Sequence, residues 1–197
     1  MEDNIVKKFE LHKKWVETIG KDWEKLRLDE VDLRKFDLSD KIFEQAYLVD
    51  CNFNNLKLKK IDFHASVLCS STYRNANLNE CDFYKSDLSY TDFSGAVIKN
   101  TKFSKSDFWE AIFRNTNLTN CNLINDYFYL TDFSNARLDN IDISMAIFEE
   151  TLLNGVKLNN IKGIEEAYFE SINIGTFEEP IMLKLEEAKK WVLKNCL

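Results

Sequence analysis

From Leu28 to Leu158, every fifth residue is large and apolar, at 27 positions without a gap. No helix or flat strand has this spacing, because helical faces repeat about every 3.6 residues and strand faces about every 2. A period of five needs a chain that turns after each block. The feature therefore selects a solenoid before any other residue is read. One extra residue near Gly163 shifts the frame, and Ile164, Phe169 and Ile174 resume it.

The position two before each large residue is mostly small, as at Ala46, Cys51, Ser66, Ser71, Ala76, Cys81, Ser86 and Thr91. The other three positions are mostly Asp, Asn, Ser, Lys or Glu, so each block points two residues inward and three outward. Asn, Asp and Ser supply turn chemistry, which lets a chain with only five Gly and one Pro turn so often. Every fourth large residue gives Leu38, Leu58, Leu78, Ile98, Leu118, Leu138 and Leu158, a column without an aromatic. Another column begins Phe43, Phe63, Phe83, Phe103. Like residues recurring every twenty positions imply a coil of four blocks, stacked in register at ~4.8 Å.

The blocks Ala76-Asn-Leu-Asn-Glu, Cys81-Asp-Phe-Tyr-Lys, Ser86-Asp-Leu-Ser-Tyr and Thr91-Asp-Phe-Ser-Gly resemble the pentapeptide-repeat family. The resemblance covers about residues 26–174. It implies a mainly β fold, a right-handed quadrilateral β-helix of about seven coils with an N-terminal capping helix and a C-terminal helix. The stretch Leu11-His-Lys-Lys-Trp-Val resembles a lead-in of other members.

Open coil ends would recruit other strands and need covers. Residues 3–19 carry Ile5, Phe9, His12, Trp15, Val16 and Ile19 at helical spacing, with Gly20 as a stop. Pro180 suits the start of a second helix bearing Met182, Leu185, Ala188, Trp191, Val192 and Cys196. The expected layout is an N-terminal cap over 1–24, a β-helix over 25–176 and a C-terminal helix over 177–197. In that helix, Leu185, Ala188, Trp191 and Val192 either bury on the last coil or form a homodimer contact.

A formal charge of −7 argues against direct nucleic-acid binding through a basic surface. No apolar run reaches the length of a membrane span, and the N-terminal residues hold no secretory apolar core. Cys51, Cys69, Cys81, Cys121 and Cys196 are odd in number and lack metal-ligand spacing, so they read as reduced thiols of a cytoplasmic protein. Cys81 and Cys121 share a column two coils apart, ~9–10 Å, too far for a disulfide. No catalytic or metal site is expected and no cofactor is implied, since none of the phosphate-loop, nucleophile-elbow or zinc motifs occurs. His12 reads as a packing or capping residue and His64 as a solvated outward one. Lys41 takes an inward slot near the first coil, where its stem can snorkel outward. Asp126 also takes an inward small-residue slot, between Ser106 and Ala146. The expectation is a carboxylate satisfied by Ser106 and backbone amides; an enzyme site near Asp126 is the remote alternative.

Function then falls to the flanks of the rod. The first face holds the acids Asp29, Glu30, Asp50, Asp87, Asp107, Glu110, Glu149 and Glu150 and one base, Arg27, a net −7. The second, third and fourth faces sum to +1, +2 and −1. The first face also carries Tyr90, Trp109, Tyr127, Tyr129 and Leu130 in outward positions. Clustered exposed aromatics mark protein contacts. The expected function is a protein-binding rod, scaffold or inhibitor, acting through Asp50, Asp87, Tyr90, Asp107, Trp109, Glu110, Tyr127, Tyr129, Leu130, Glu149 and Glu150. The resemblance offers a sharper alternative, because Qnr- and MfpA-type members bind DNA gyrase as DNA-like acidic rods. The eight acids fall one per ~3.6 Å, near the ~3.4 Å charge spacing of one DNA strand but about twofold sparser than a duplex. A type II topoisomerase is thus the sharpest candidate partner.

Overall fold

The structure, a computed structural model, describes residues 2–39 and 41–196. Asp40, counted on the third face, lies outside the described residues, as do Met1 and Leu197 at the ends of the expected caps.

The repeats wind into a β-solenoid of about seven turns between two helices, α1 (Glu2–Glu17) and α2 (Leu185–Asn195). Coils stack in parallel register at a step of twenty: Leu58 lies opposite Leu78, Leu78 opposite Ile98, and Ile98 opposite Leu118. After the extra residue the step becomes 21, with Phe148 opposite Phe169.

Local chemistry explains the corners. The last residue of most blocks is left-handed, as at Asn55 (φ 61°), Asn75 (55°) and Asn135 (57°). Nine of these corners are Asn, the non-glycine residue that best tolerates this region, so glycine is seldom required. The Asp or Asn before each large residue accepts the backbone N–H two residues on. Asp62 takes that of His64 and Asp132 that of Ser134, at 2.8 and 2.7 Å.

The small inward slot has its own rule. At most of these positions the hydroxyl donates to the carbonyl 23 residues earlier, as from Ser86 to Phe63 (2.8 Å), Thr116 to Phe93 (2.9 Å) and Thr151 to Phe128 (2.8 Å), whereas Thr91 and Thr101 donate locally to Leu88 and Lys99. Cys51, Cys81 and Cys121 follow the same geometry with their thiols toward Leu28, Leu58 and Ile98. Burial pushes each of these three thiols up to about 11, so they serve as small core residues rather than nucleophiles. Among the described residues no disulfide joins Cys51, Cys69, Cys81 or Cys121.

The coil step sets how the large residues meet. Phe43, Phe63, Phe83 and Phe103 stack with centroids 4.7–5.2 Å apart. Phe53, Tyr73, Phe93, Phe113 and Phe133 form a second pillar at 4.5–4.9 Å. Each fully buried ring removes enough apolar surface to stabilise the fold by about 1.5–3 kcal/mol before entropy is counted.

α1 covers the first coil with Ile5, Phe9 and His12; Phe9 meets Phe36 and Phe43 edge-on at 5.9 and 5.8 Å. The helix ends at Glu17, and the Gly20 N–H closes it on the Trp15 carbonyl. Ile19 therefore leaves the helical face and is exposed, contrary to the spacing argument. The Lys41 ammonium reaches outward over the Phe9 ring. The C-terminal expectation also needs correction. Pro180 starts no helix: Met182–Lys184 is a strand, antiparallel to Ser171–Asn173, and α2 begins only at Leu185. The strand forms because register pairs Ile172 with Leu183 and prolongs the sheet that Thr151–Leu152 begins. Ala188 and Val192 of α2 bury against the solenoid and Trp191 packs half-buried against them, whereas Leu185 faces solvent.

Candidate functional site

The first face is built on the strands Tyr127–Tyr129 and Ile147–Glu149, which pair in parallel, and on single bridges that place Asp87 beside Asp107 and Asp107 beside Tyr127. Successive coils thus bring residues far apart in sequence within one coil step. Trp109 and Tyr129 touch with ring centroids 4.4 Å apart, and Tyr127 lies 6.4 Å from Tyr129. Tyr90, Trp109 and Leu130 are exposed by 51, 39 and 38%. Tyr90 and Leu130 also occupy left-handed corners, at 60° and 50°, where Asn or Gly costs less. Bulky residues there spend stability on presenting apolar surface.

Carboxylates frame this patch. Trp109 Nε1 donates to Glu110 Oε1 at 3.1 Å, and the Tyr127 hydroxyl donates to Glu149 Oε2 at 2.5 Å. The Glu149 bond holds the Tyr127 phenol up at about 12. Partial burial, then the charges of Glu150, Glu149 and Glu110, raises Tyr129 as well. Desolvation first and Asp87 second raise the Asp107 carboxyl. Asp87 and Asp107 also cap their own turns, accepting the N–H groups of Ser89 and Trp109 at 3.1 and 3.2 Å. Asp50 stands three coils from Glu110, ~14 Å along the rod, and does not join the cluster.

Ion pairing separates this face from the others. Asp92 is bridged by Arg74 at 2.6 Å, Asp132 by Arg114, and Asp82 by Lys102 at 3.4 Å. Among the described residues, none of Asp50, Asp87, Asp107, Glu110, Glu149 and Glu150 takes part in a salt bridge. The acids of the first face remain uncompensated.

A groove of about 570 Å³ lies around the corner, on the second face, and sequence reasoning missed it. Its floor is one outward row across the sheet, in which Ile112, Asp132, Leu152, Asn173 and Met182 are successive register partners. Glu110, Leu130 and Glu150 form the edge shared with the first face, and Phe177 stands at the mouth. The signal available was Ile112 and Leu152 in outward slots that hold Asp92 and Asp132 elsewhere in the same column.

Asp126 differs from its expectation. The Ser106 N–H donates to Oδ1 at 2.8 Å, but the Ser106 hydroxyl donates to the Phe83 carbonyl instead, and Oδ2 has no partner. Desolvation pushes this carboxyl well above the usual carboxylate range, so the buried group favours its neutral form. At 1% exposure it is sealed from any substrate. His12 accepts the Leu26 N–H at Nδ1 (3.0 Å) and stacks on Trp15 at 5.7 Å. His64 is half-exposed beside Tyr84. Among the described residues no group of His, Cys, Asp and Glu is arranged to hold a metal ion. No described helix is long and apolar enough to cross a membrane.

A square β-solenoid closed by helices, with an uncompensated acidic and aromatic flank, defines a repeat protein whose exposed chemistry lies on its faces. The chain belongs to the pentapeptide-repeat family: the model for pentapeptide repeats matches residues 27–64, 61–100 and 92–125. Members of this family are in general structural rods without catalysis. Among solved structures, Rfr23 of the cyanobacterium Cyanothece 51142 is 24% identical, covering 59% of this chain and 90% of that one, with a TM-score of 0.47. A pentapeptide-repeat protein of the Arabidopsis thaliana thylakoid lumen is 21% identical, with coverages of 57 and 68% and a TM-score of 0.45. Full-length QnrB1, a plasmid-mediated fluoroquinolone resistance protein, is 14% identical, with coverages of 74 and 92% and a TM-score of 0.34. No curated protein matches the chain.

Proposed function

We propose that the chain is a protein-binding rod, scaffold or inhibitor, that engages its partner through the first face. The observation that carries the reading is the coincidence of exposed Trp109, touching half-buried Tyr129, with carboxylates that form no salt bridge among the described residues. Aromatic side chains at the centre of a charged rim are the usual energetic anchors of protein interfaces. The partner surface is basic, because an acidic patch steers and selects by charge complementarity. α2 acts as a cap rather than a dimer element in this reading, since Ala188 and Val192 are used within the chain.

The test is cross-linked partner capture with the intact chain and with the Trp109→Ser/Tyr129→Ser variant. Loss of the cross-linked partner is expected. Retention of both the partner and the oligomeric state would remove the first face from consideration.

A second reading, DNA-like inhibition or protection of a type II topoisomerase, draws on the acid spacing along this face. The acids are interrupted at Val67, Cys69 and Ser70 and again at Tyr127, Tyr129 and Leu130, which favours the first reading. A gyrase supercoiling assay with and without a quinolone decides it. An unchanged assay at micromolar protein eliminates mimicry and leaves protein binding standing.

A further inference from the structure

The groove on the second face has a largely apolar floor and a charged lip. Ile112, Leu152 and Met182 make the apolar part of the floor, with Asp132 and Asn173 between them, and Leu130 closes the corner. At about 570 Å³ it falls within the size range of specific binding clefts. It is also held in shape before any partner arrives. Asn173 Oδ1 accepts the N–H groups of Gly175 and Ile181, each at 2.9 Å, and Ile174 N–H meets the Ile181 carbonyl at 3.0 Å. Gly175 permits this tight hairpin, because a Cβ there would lie 2.2 Å from the Glu179 carbonyl oxygen. The hairpin holds Phe177 at the mouth, 80% exposed.

The charges at the groove differ in whether they are satisfied. Arg114 and Asp132 neutralise each other. Glu110 and Glu150, on the edge shared with the net −7 face, form no salt bridge among the described residues, and Trp109 holds Glu110 by a neutral hydrogen bond. Lys184 lines the far side of the groove, two strands beyond Glu150, and makes no salt bridge with it among the described residues. The unpaired charge at the edge shared with the first face is therefore negative, beside a largely apolar floor.

We propose that this groove docks an extended segment of the partner that carries one bulky apolar side chain next to a lysine or arginine. The apolar side chain fills the space over Ile112 and Leu152 under Phe177. The cation reaches Glu110 and Glu150, with the Trp109–Tyr129 pair beside it for cation–π contact. Charge complementarity fixes the choice: an acidic or purely apolar segment would leave both carboxylates uncompensated. The proposal rests on the protein-binding reading and names the chemistry of the partner at one corner of it.

The test uses the full chain as bait for a random peptide display library, followed by fluorescence polarisation with the selected peptides. The expected consensus places an aromatic or aliphatic residue beside Lys or Arg. Leu152→Asn and the pair Glu110→Gln/Glu150→Gln should each weaken binding by at least about tenfold, and added salt should weaken it further. Ile112→Asn replaces Leu152→Asn if the latter fails to fold. Failure to select any peptide, selection of peptides without a base, or binding unmoved by these variants overturns the proposal. Partner capture lost in Trp109→Ser/Tyr129→Ser but kept in the groove variants would sink the groove alone and leave the broader reading intact.

Discussion

The two halves of the solenoid solve the same packing problem with different side chains. In the first half the aromatic pillar Phe43–Phe63–Phe83–Phe103 stands beside Phe53–Tyr73–Phe93, with Leu48, Leu68 and Leu88 at the neighbouring corner. In the second half the first pillar shrinks to Leu123 and Ile143, and a new one, Phe108–Phe128–Phe148–Phe169, rises at that corner with centroids 4.9–5.1 Å apart. The exchange happens in one coil, where Phe103, Phe108 and Phe113 lie together at 5.5 and 5.4 Å. Each layer must reach nearly the same volume, but the corner that supplies it is free to change. Where the supply falls short, beside Ile143 and Leu153, a cavity of about 20 Å³ remains and Val192 of α2 lines it. The touching Trp109–Tyr129 pair and the groove belong to this second half, outside the corner to which the pillar moved.

The largest test of the contrast is in the regular half. Phe93→Ala removes a ring stacked on both sides and should cost about 3–5 kcal/mol in urea unfolding. A loss under about 1 kcal/mol would mean that the pillars do not hold the rod together.

Asp126 is the next lever and belongs to the second half. The folded chain keeps this proton to a higher pH than the unfolded chain does. Its contribution is therefore full below about pH 3.9 and is lost as pH rises through the folded-state value. By the rule of its slot, a donor on Oδ2 would face the Phe103 carbonyl. Asp126→Asn supplies such a donor without a charge and should stabilise the protein at pH 8 by about 1–3 kcal/mol. Unfolding curves that remain as pH-dependent as those of the parent protein would contradict this account.

The N-terminal cap should respond in the opposite direction. Burial lowers the His12 pKa, with Lys25 adding to the effect, so the folded chain prefers neutral imidazole. Stability at this end is full above about pH 6.5 and falls as pH drops through the lowered value, because protonation at Nδ1 removes the acceptor of the Leu26 N–H. The loss of that bond is about 1 kcal/mol. The protection of the Leu26 amide, measured against its intrinsic exchange rate at each pH, should fall in acid while that of the Phe93 amide, deep in the core, is kept.

The smallest expected effect closes the cavity. Val192→Ile adds one methylene where about 20 Å³ is empty, and should stabilise the protein by about 0.8 kcal/mol or less. A destabilised variant would mean that the void has the wrong shape to be filled.

The solenoid was legible because its signal is local and repeated. Each block carries its own corner, turn-capping Asp or Asn, small slot and large residue, and twenty-residue recurrence reports which blocks stack. Faces follow from the same arithmetic, which places Trp109 and Tyr129 side by side on successive coils. Reasoning from the period failed where the period stops. Met182 reads as helical but forms a strand, because the exposed edge of Ser171–Asn173 offers hydrogen bonds that a helix there would leave unmade. Asp126 reads as satisfied by Ser106, but the Ser106 hydroxyl is already committed to the Phe83 carbonyl.

Sequence alone therefore determined the coil, its interior and the charge of each flank, since these depend on short-range chemistry repeated in register. Only the tertiary structure decided which acids stay without a cation, that the C-terminal hairpin walls a groove over Ile112 and Leu152, and that α2 closes the core through Ala188 and Val192. Those outcomes depend on distances between segments that no repeat links, and such contacts exist only once the coils are stacked.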